Sequence, residues 1–231
     1  MLSVVIPLYN EERRLEAGLA GARELVTLVE GPVELVFVDD GSTDGTLALL
    51  RQRAPQDARI LAEPHRGKGG ALAAGVRAAK GDRILLTDVD WSVTPAEVAR
   101  LLEEEGDVVL AVREGAGARR LGEPLRRHLV GRAFNALVKL VVVVGHEDTQ
   151  CGCKLLRADA AEKLFARLTV EGWAFDVELV VIAHVLGLDL REFPVTWRYQ
   201  PDTRLRIGRD GLQMARDVLR IRRRLDAGAY Q

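Results

Sequence analysis

Arg83-Ile84-Leu85-Leu86-Thr87-Asp88-Val89-Asp90 passes from an apolar run straight into two carboxylates, and that change of chemistry decides how the first half of the chain is read. A short run rich in Ile and Leu reads as a buried strand, and unpaired acids cannot follow it into a core, so the strand ends at Thr87. Outward from it the same transition recurs. Leu2 to Leu8 leads into Tyr9-Asn10-Glu11, and Val33 to Asp39 closes on Asp39-Asp40. Further strands are expected at Arg59 to Glu63 and Asp107 to Val112.

Helical patterns fill the gaps: Glu11 to Val29, Thr43 to Arg53, Gly69 to Lys80, and Pro95 to Glu105 with Thr94 as its cap. Strands alternating with helices predict an α/β fold, a Rossmann-like, mainly parallel sheet with flanking helices. In such a sheet ligands lie beyond the carboxyl ends of the strands, where the acidic residues above collect. After Val112 the rhythm changes to an Arg/Gly loop, a helix from Pro124 to about Val144, and a strand near Gln150 to Leu156. Helices from Asp159 and Phe175, a strand from Asp189 to Trp197 and a basic helix from Gly208 to Arg224 complete the reading. The expected organisation is one catalytic domain over residues 1–207 and a basic C-terminal helix within 208–231.

Composition narrows the function classes. The 231 residues carry a net charge of −1, with 48% hydrophobic residues, which opposes a nucleic-acid binder that relies on overall basicity. Charge is uneven along the chain: nine arginines face three aspartates between Arg198 and Arg224, and six face two glutamates between Arg113 and Arg132, two local anion-attracting surfaces. Cys151 and Cys153 are the only cysteines, and no second Cys or His cluster completes a tetrahedral metal site, so buried thiols in a reducing cytoplasm are expected. Met1 to Pro7 reads as a strand rather than a signal peptide. The longest apolar stretch, Ala133 to Gly145, is broken by Asn135 and Lys139 and falls short of the roughly 20 residues that span a bilayer. Membrane contact is therefore expected to be peripheral.

Asp88 and Asp90, one residue apart at a strand end, suit a hard divalent cation that also holds diphosphate oxygens and waters, so Mg²⁺ or Mn²⁺ is expected. His65-Arg66-Gly67-Lys68-Gly69-Gly70 opens a helix, where glycines let backbone N–H groups approach an anion and Lys68 adds charge. It is not a P-loop, because Gly69 follows the lysine, and no G-x-G-x-x-G follows the first strand.

Together Val5-Ile6-Pro7-Leu8-Tyr9-Asn10-Glu11-Glu12, Val38-Asp39-Asp40-Gly41-Ser42-Thr43-Asp44-Gly45-Thr46, Arg66-Gly67-Lys68-Gly69 and Asp88-Val89-Asp90 resemble the family 2 glycosyltransferases of GT-A fold. Asp148-Thr149-Gln150-Cys151-Gly152-Cys153-Lys154-Leu155 and Trp173-Ala174-Phe175-Asp176-Val177-Glu178-Leu179 resemble the branch that glycosylates polyprenyl phosphates, nearest to the dolichyl-phosphate β-glucosyltransferases. The resemblance implies that Pro7, Tyr9, Glu11, Val38 and Asp40 hold the nucleoside. It implies that Asp88 and Asp90 bind metal and diphosphate with Val89 between them at the substrate, and that Arg113 and Arg127 face the phosphates. It places Arg198 and Arg204 in a loop over the substrate. Ser92 stands where some relatives have a metal-ligating amide, and Cys153 where an aromatic residue is usual.

The expected reaction is an inverting transfer of a hexose, glucose favoured, from a nucleotide-sugar such as UDP-glucose to a polyprenyl phosphate. A phosphomonoester is already an oxyanion at neutral pH and needs no strong base. Transfer of mannose from GDP-mannose, transfer to a glycan hydroxyl, and a silent nucleotide-sugar-binding subunit are the rivals. A hydroxyl acceptor would need a carboxylate base, with Asp176 or Glu178 the candidates against a reading as ordinary helix N-terminal acids. The four histidines are too scattered to argue as ligands, and Trp173 and Trp197 read as core or cavity walls. The arginine-rich C-terminal helix, with Leu212, Ala215, Leu219 and Ile221 among its charges, is expected at a lipid surface.

Overall fold

The computed structural model describes residues 1–142, 145–146, 148–201 and 207–231. Its first half alternates as the sequence predicts: β1 (Leu2–Leu8), α1 (Leu15–Leu28), β2 (Val33–Asp40), α2 (Thr46–Arg53), β3 (Arg59–Glu63), α3 (Lys68–Ala78), β4 (Arg83–Leu86), α4 (Pro95–Leu101) and β5 (Val108–Val112). The second half adds β6 (Arg119–Leu121), α5 (Leu125–Val142), β7 (Lys154–Arg157), α6 (Ala158–Arg167), α7 (Phe175–Val185), β8 (Leu190–Pro194), β9 (Thr196–Arg198) and α8 (Ile207–Asp226).

Seven strands form one sheet in the order β3-β2-β1-β4-β7-β5-β8, and only β7 runs antiparallel to its neighbours. Alternate residues on a strand face opposite sides, and the core divides accordingly. Val5, Val36, Val38, Ile84, Leu86, Val108 and Leu110 pack on one side with α3, α6, α7 and α8. Val4, Ile6, Leu35, Phe37, Leu85 and Val109 pack on the other with α1, α2 and α4. Each such side chain, fully buried, contributes about 1.5 to 3 kcal/mol of hydrophobic stabilisation. α3 lies close on the sheet because Gly75 has no side chain; a Cβ there would meet Val5 Cγ1 at 2.3 Å. Thr94 caps α4 as expected, its hydroxyl accepting from Glu97 N–H at 3.4 Å, with Pro95 in the first turn.

Where the elements differ from the sequence reading, the cause is local. α1 starts at Leu15 rather than Glu11 because Glu11 N–H is drawn across to Thr46 Oγ1 at 2.7 Å. The strand expected from Gln150 begins only at Lys154, and the expected strand from Asp189 is two strands: β8 pairs with β5 up to Pro194, and β9 pairs with β6 in a separate ribbon. Proline has no N–H for a further rung, which fits the ladder ending there. β6 falls in what reads as a loop. Cys151 and Cys153 are free, buried and in the same side of the core, as expected of packing thiols. Among the described residues no helix is long and apolar enough to cross a membrane. α8 buries Met214, Val218 and Ile221 against the core and leaves Leu212 and Leu219 exposed, on the helix that packs with α5.

Candidate active site

A cavity of about 1300 Å³ opens at the carboxyl ends of β1, β2 and β4 and extends between α5 and α8. Of the residues singled out in the sequence it brings together Pro7, Tyr9, Glu11, Asp40, Lys68, Asp88, Val89, Asp90, Arg113 and Arg127. Val38 is elsewhere: its side chain is wholly buried in the core beneath α3. Arg198 is exposed at the end of β9 and is not among the lining residues. Arg204 lies outside the described residues.

At one end of the cavity the tips of β1 and β2 are sewn to each other. Asn10, with φ 55, turns its Oδ1 to accept Thr43 N–H at 2.8 Å, while its own N–H donates to Ser42 Oγ at 2.9 Å. Asparagine tolerates this left-handed conformation better than most residues. Asp40 is buried, and its carboxylate accepts Arg66 N–H at 2.8 Å and Gly67 N–H at 2.9 Å, with His65 Nδ1 2.8 Å from Oδ2. The His65 ring stacks on Tyr9 with centroids 4.0 Å apart and planes 15° apart. His65, one of the histidines set aside in the sequence, thus belongs to the site.

The carboxylate pair sits on a turn braced from below. Trp91 has φ 48, a conformation costing about 1 kcal/mol or more for a bulky residue, so the surroundings must hold it. Its Nε1 donates to Gly18 O at 2.8 Å, and its ring fills the place where a side chain on Gly21 would be. Two glycines of α1 therefore shape the Asp88-to-Trp91 turn. Asp88 Oδ1 pairs with Lys68 Nζ at 2.5 Å. Burial alone would lower the Lys68 ammonium, but the charges of Asp88 and Asp176 outweigh it and hold it above its usual value. Burial and then the charge of Asp88 raise the Asp90 carboxyl above the ordinary carboxylate range. Two crowded carboxylates of this kind are what a divalent cation relieves, so the pair fits Mg²⁺ or Mn²⁺. Among the described residues no group of three or more His, Cys, Asp or Glu side chains could hold a metal, so the remaining ligand positions would fall to water and substrate oxygens. Ser92, 9% exposed, lines the cavity at this edge.

The glycines in the first turn of α3 also admit a neighbouring loop. Gly69 packs against Val170 O and Phe175, and Gly70 N–H donates to Glu171 O at 3.1 Å. That N–H is engaged by the loop, and Gly67 N–H by Asp40, while Lys68 lines the cavity.

The opposite wall is basic. Arg113 donates through Nε and its main-chain N–H to Asp148 Oδ2, at 2.6 and 3.1 Å, and through Nη2 to Oδ1 at 2.9 Å. Burial opposes the Asp148 charge, but Arg113 overcomes it and holds the carboxyl well below the usual range. Trp197 lies beneath the Arg113 and Arg120 guanidiniums, and Tyr199 beneath Arg127. From there apolar groups, Val130, Phe134, Leu212 and Met214, line the way out between α5 and α8. Leu125, Leu129 and Leu140 of α5 are exposed.

At the floor, Asp176 is tied to Lys154 Nζ at 2.5 Å, and Lys154 also donates to Cys151 O at 2.6 Å. Burial raises the Asp176 carboxyl despite the two lysines. Glu178 does not reach the cavity: it accepts Thr169 N–H, Val170 N–H, Thr169 Oγ1 and Tyr230 Oη at 2.6 to 2.8 Å. The sequence reading gave no role to Asp148 or Arg14, which also lines the cavity. Asp148 was visible inside a quoted motif. Arg14 sits just beyond one and carried no signal.

Residues 3–165 match the family model for glycosyl transferase family 2. The dolichyl-phosphate β-glucosyltransferase of Mus musculus is 34% identical over 250 residues, covering all of this chain and 77% of the mouse protein. Among solved structures, the glucosyl-3-phosphoglycerate synthase of Mycobacterium tuberculosis with UDP aligns at TM-score 0.68 and 25% identity, covering 96% of this chain and 78% of that one. The same synthase with Mn²⁺, UDP-glucose and phosphoglyceric acid aligns at TM-score 0.71 and 23% identity over the same shares.

Proposed function

Because the chain belongs to glycosyl transferase family 2, we propose that it transfers glucose from UDP-glucose to the phosphate of a dolichyl or related polyprenyl phosphate, inverting the anomeric carbon. One observation carries the reading: a single cavity joins the carboxylate pair Asp88 and Asp90 to an arginine wall that continues into an apolar exit. A donor diphosphate suits the first, a phosphate acceptor the second, and a prenyl chain the third. The likeness to the mouse dolichyl-phosphate β-glucosyltransferase over the whole chain supports glucose and the acceptor, and the likeness to a synthase solved with UDP supports the nucleotide of the donor.

In this reading the nucleoside lies by Tyr9 and His65, with Asp40 holding the loop that presents His65. Asp88 and Asp90 would hold Mg²⁺ or Mn²⁺, which would neutralise the charge gathering on the departing UDP. Lys68, kept protonated at the cavity floor, adds a second positive charge beside the diphosphate. Arg113 and Arg127 gather the acceptor phosphate and orient one of its oxygens for in-line attack. No general base is required. A hydroxyl acceptor would require one, and the Asp176 carboxylate, the cavity-lining candidate, is engaged by Lys154. Contact with the cytoplasmic face of a membrane through the exposed leucines of α5 and α8 would bring the active site to its lipid acceptor.

The test is a matrix of UDP-glucose and GDP-mannose against prenyl phosphates of several lengths, with and without EDTA. Glucose transfer to a prenyl phosphate that EDTA abolishes is expected. Transfer only to a soluble hydroxyl acceptor would overturn the proposal.

A further inference from the structure

Arg14, just before α1, bridges the end of β1 to the carboxylate pair at the end of β4. The buried Glu11 carboxylate takes Nε of Arg14 at 2.7 Å and Nη2 at 2.8 Å. That fork fixes the guanidinium plane and points the third nitrogen, Nη1, at Asp90 Oδ2, 3.6 Å away. Nη1 is buried without a hydrogen-bond partner. The other oxygen of Asp90, Oδ1, accepts Ser92 N–H at 3.0 Å. Both carboxylate oxygens of Asp90 thus face a donor, and the backbone of Arg14 is itself pinned by hydrogen bonds to Glu11 O and from Gly18 N–H, each 2.9 Å.

We infer that Arg14 is a positioning residue: held by Glu11, it orients the Asp90 carboxylate for the divalent cation. The inference rests on the metal-dependent reading above. An arginine beside a cation site would ordinarily repel the cation, but the Glu11 carboxylate cancels its charge at hydrogen-bond distance. The pair therefore presents a directed donor to Asp90 while adding no net charge to the site. Groups that orient a metal ligand in this way typically change metal affinity by about 10- to 100-fold when removed. Glu11 accordingly acts through Arg14 as well as lining the cavity.

The test measures Mn²⁺ affinity by calorimetry on the full chain at saturating UDP, for wild type, Arg14→Gln, Glu11→Gln and Arg14→Lys, with unfolding midpoints confirming each fold. Both glutamine variants should bind Mn²⁺ about 10- to 100-fold more weakly although they change the local charge in opposite directions. Arg14→Lys should fall between, because lysine keeps the charge without the fork. For Arg14→Gln, raising Mn²⁺ should restore kcat while the KM for UDP-glucose at saturating Mn²⁺ stays at the wild-type value. If Arg14→Gln binds Mn²⁺ as well as or better than wild type, Arg14 acts only as a charge and the inference is overturned. A wild-type protein that binds UDP but no Mn²⁺ overturns the metal reading and this inference together.

Discussion

Gly152 is the position where one methyl group should silence the enzyme without unfolding it. A Cβ built there would lie 2.0 Å from Asp88 Oδ2, 2.8 Å from its Cγ and 3.1 Å from Lys68 Nζ. Carbon and oxygen pack no closer than about 3.3 Å, so the carboxylate must retreat by roughly 1.3 Å or turn away from Lys68. Gly152 is not among the glycines with positive φ, so alanine meets no backbone strain, and the effect is confined to the contact. A misplacement of about 1 Å at a reacting centre lowers the rate by roughly 10²-fold, near 2.7 kcal/mol in activation free energy. For Gly152→Ala we expect kcat/KM for UDP-glucose to fall by about that factor. The assay is initial-rate glucosyl transfer to a short prenyl phosphate, with circular dichroism confirming the fold. A folded Gly152→Ala enzyme with wild-type kcat/KM would refute the placement of Asp88 at the reaction.

Asp148→Asn should break the charge pair with Arg113, destabilising the fold by about 3 kcal/mol, as for other buried pairs. The Asp148 carboxyl is depressed in the folded state, so its contribution is complete above the ordinary carboxylate pKa of about 3.9 and is lost as pH falls from there toward the folded value. The Tm difference between wild type and Asp148→Asn should therefore be constant from pH 5 to 8 and shrink below about pH 4. Glu178→Leu, which leaves the Thr169 N–H and the buried Val170 N–H without their acceptor, should lower stability by roughly 3 kcal/mol and Tm by about 6 to 12 °C. Tyr230→Phe should lose only about 1 kcal/mol by the same measurement. Arg127→Ala should raise the KM for prenyl phosphate about tenfold, equivalent to ~1.4 kcal/mol, and leave the KM for UDP-glucose unchanged.

The fold and the edge of the sheet that carries the cavity were legible because local chemistry wrote them into the chain. The apolar runs at Leu2, Val33 and Arg83 end in polar residues that a core cannot accept, so the strands and the edge where the cavity opens could be read together. The bracing of the carboxylate turn was not legible. It depends on Gly18 and Gly21 meeting Trp91 from a distant part of the sequence, and a glycine in a helical pattern does not announce what packs against it. Lys154 of the pair with Asp176 lies on β7, which runs antiparallel in the sheet, a reversal that no strand pattern encodes. The loop contact of Gly69 and Gly70 was hidden for the same reason: the sequence shows two glycines opening a helix, and not the 170–172 loop that packs on them. The β8 to β9 crossover likewise reads as a single extended strand until Pro194 and the partner strand β6 are seen.

The most direct measurement is lipid-extractable glucose formed from UDP-glucose and a dolichyl phosphate, comparing wild type and Asp90→Ala with Mn²⁺ present. Wild type should accumulate dolichyl-linked glucose with the β configuration, and a folded Asp90→Ala protein should form almost none. Equal product from both proteins, or none from wild type over the full range of prenyl lengths, would contradict the account.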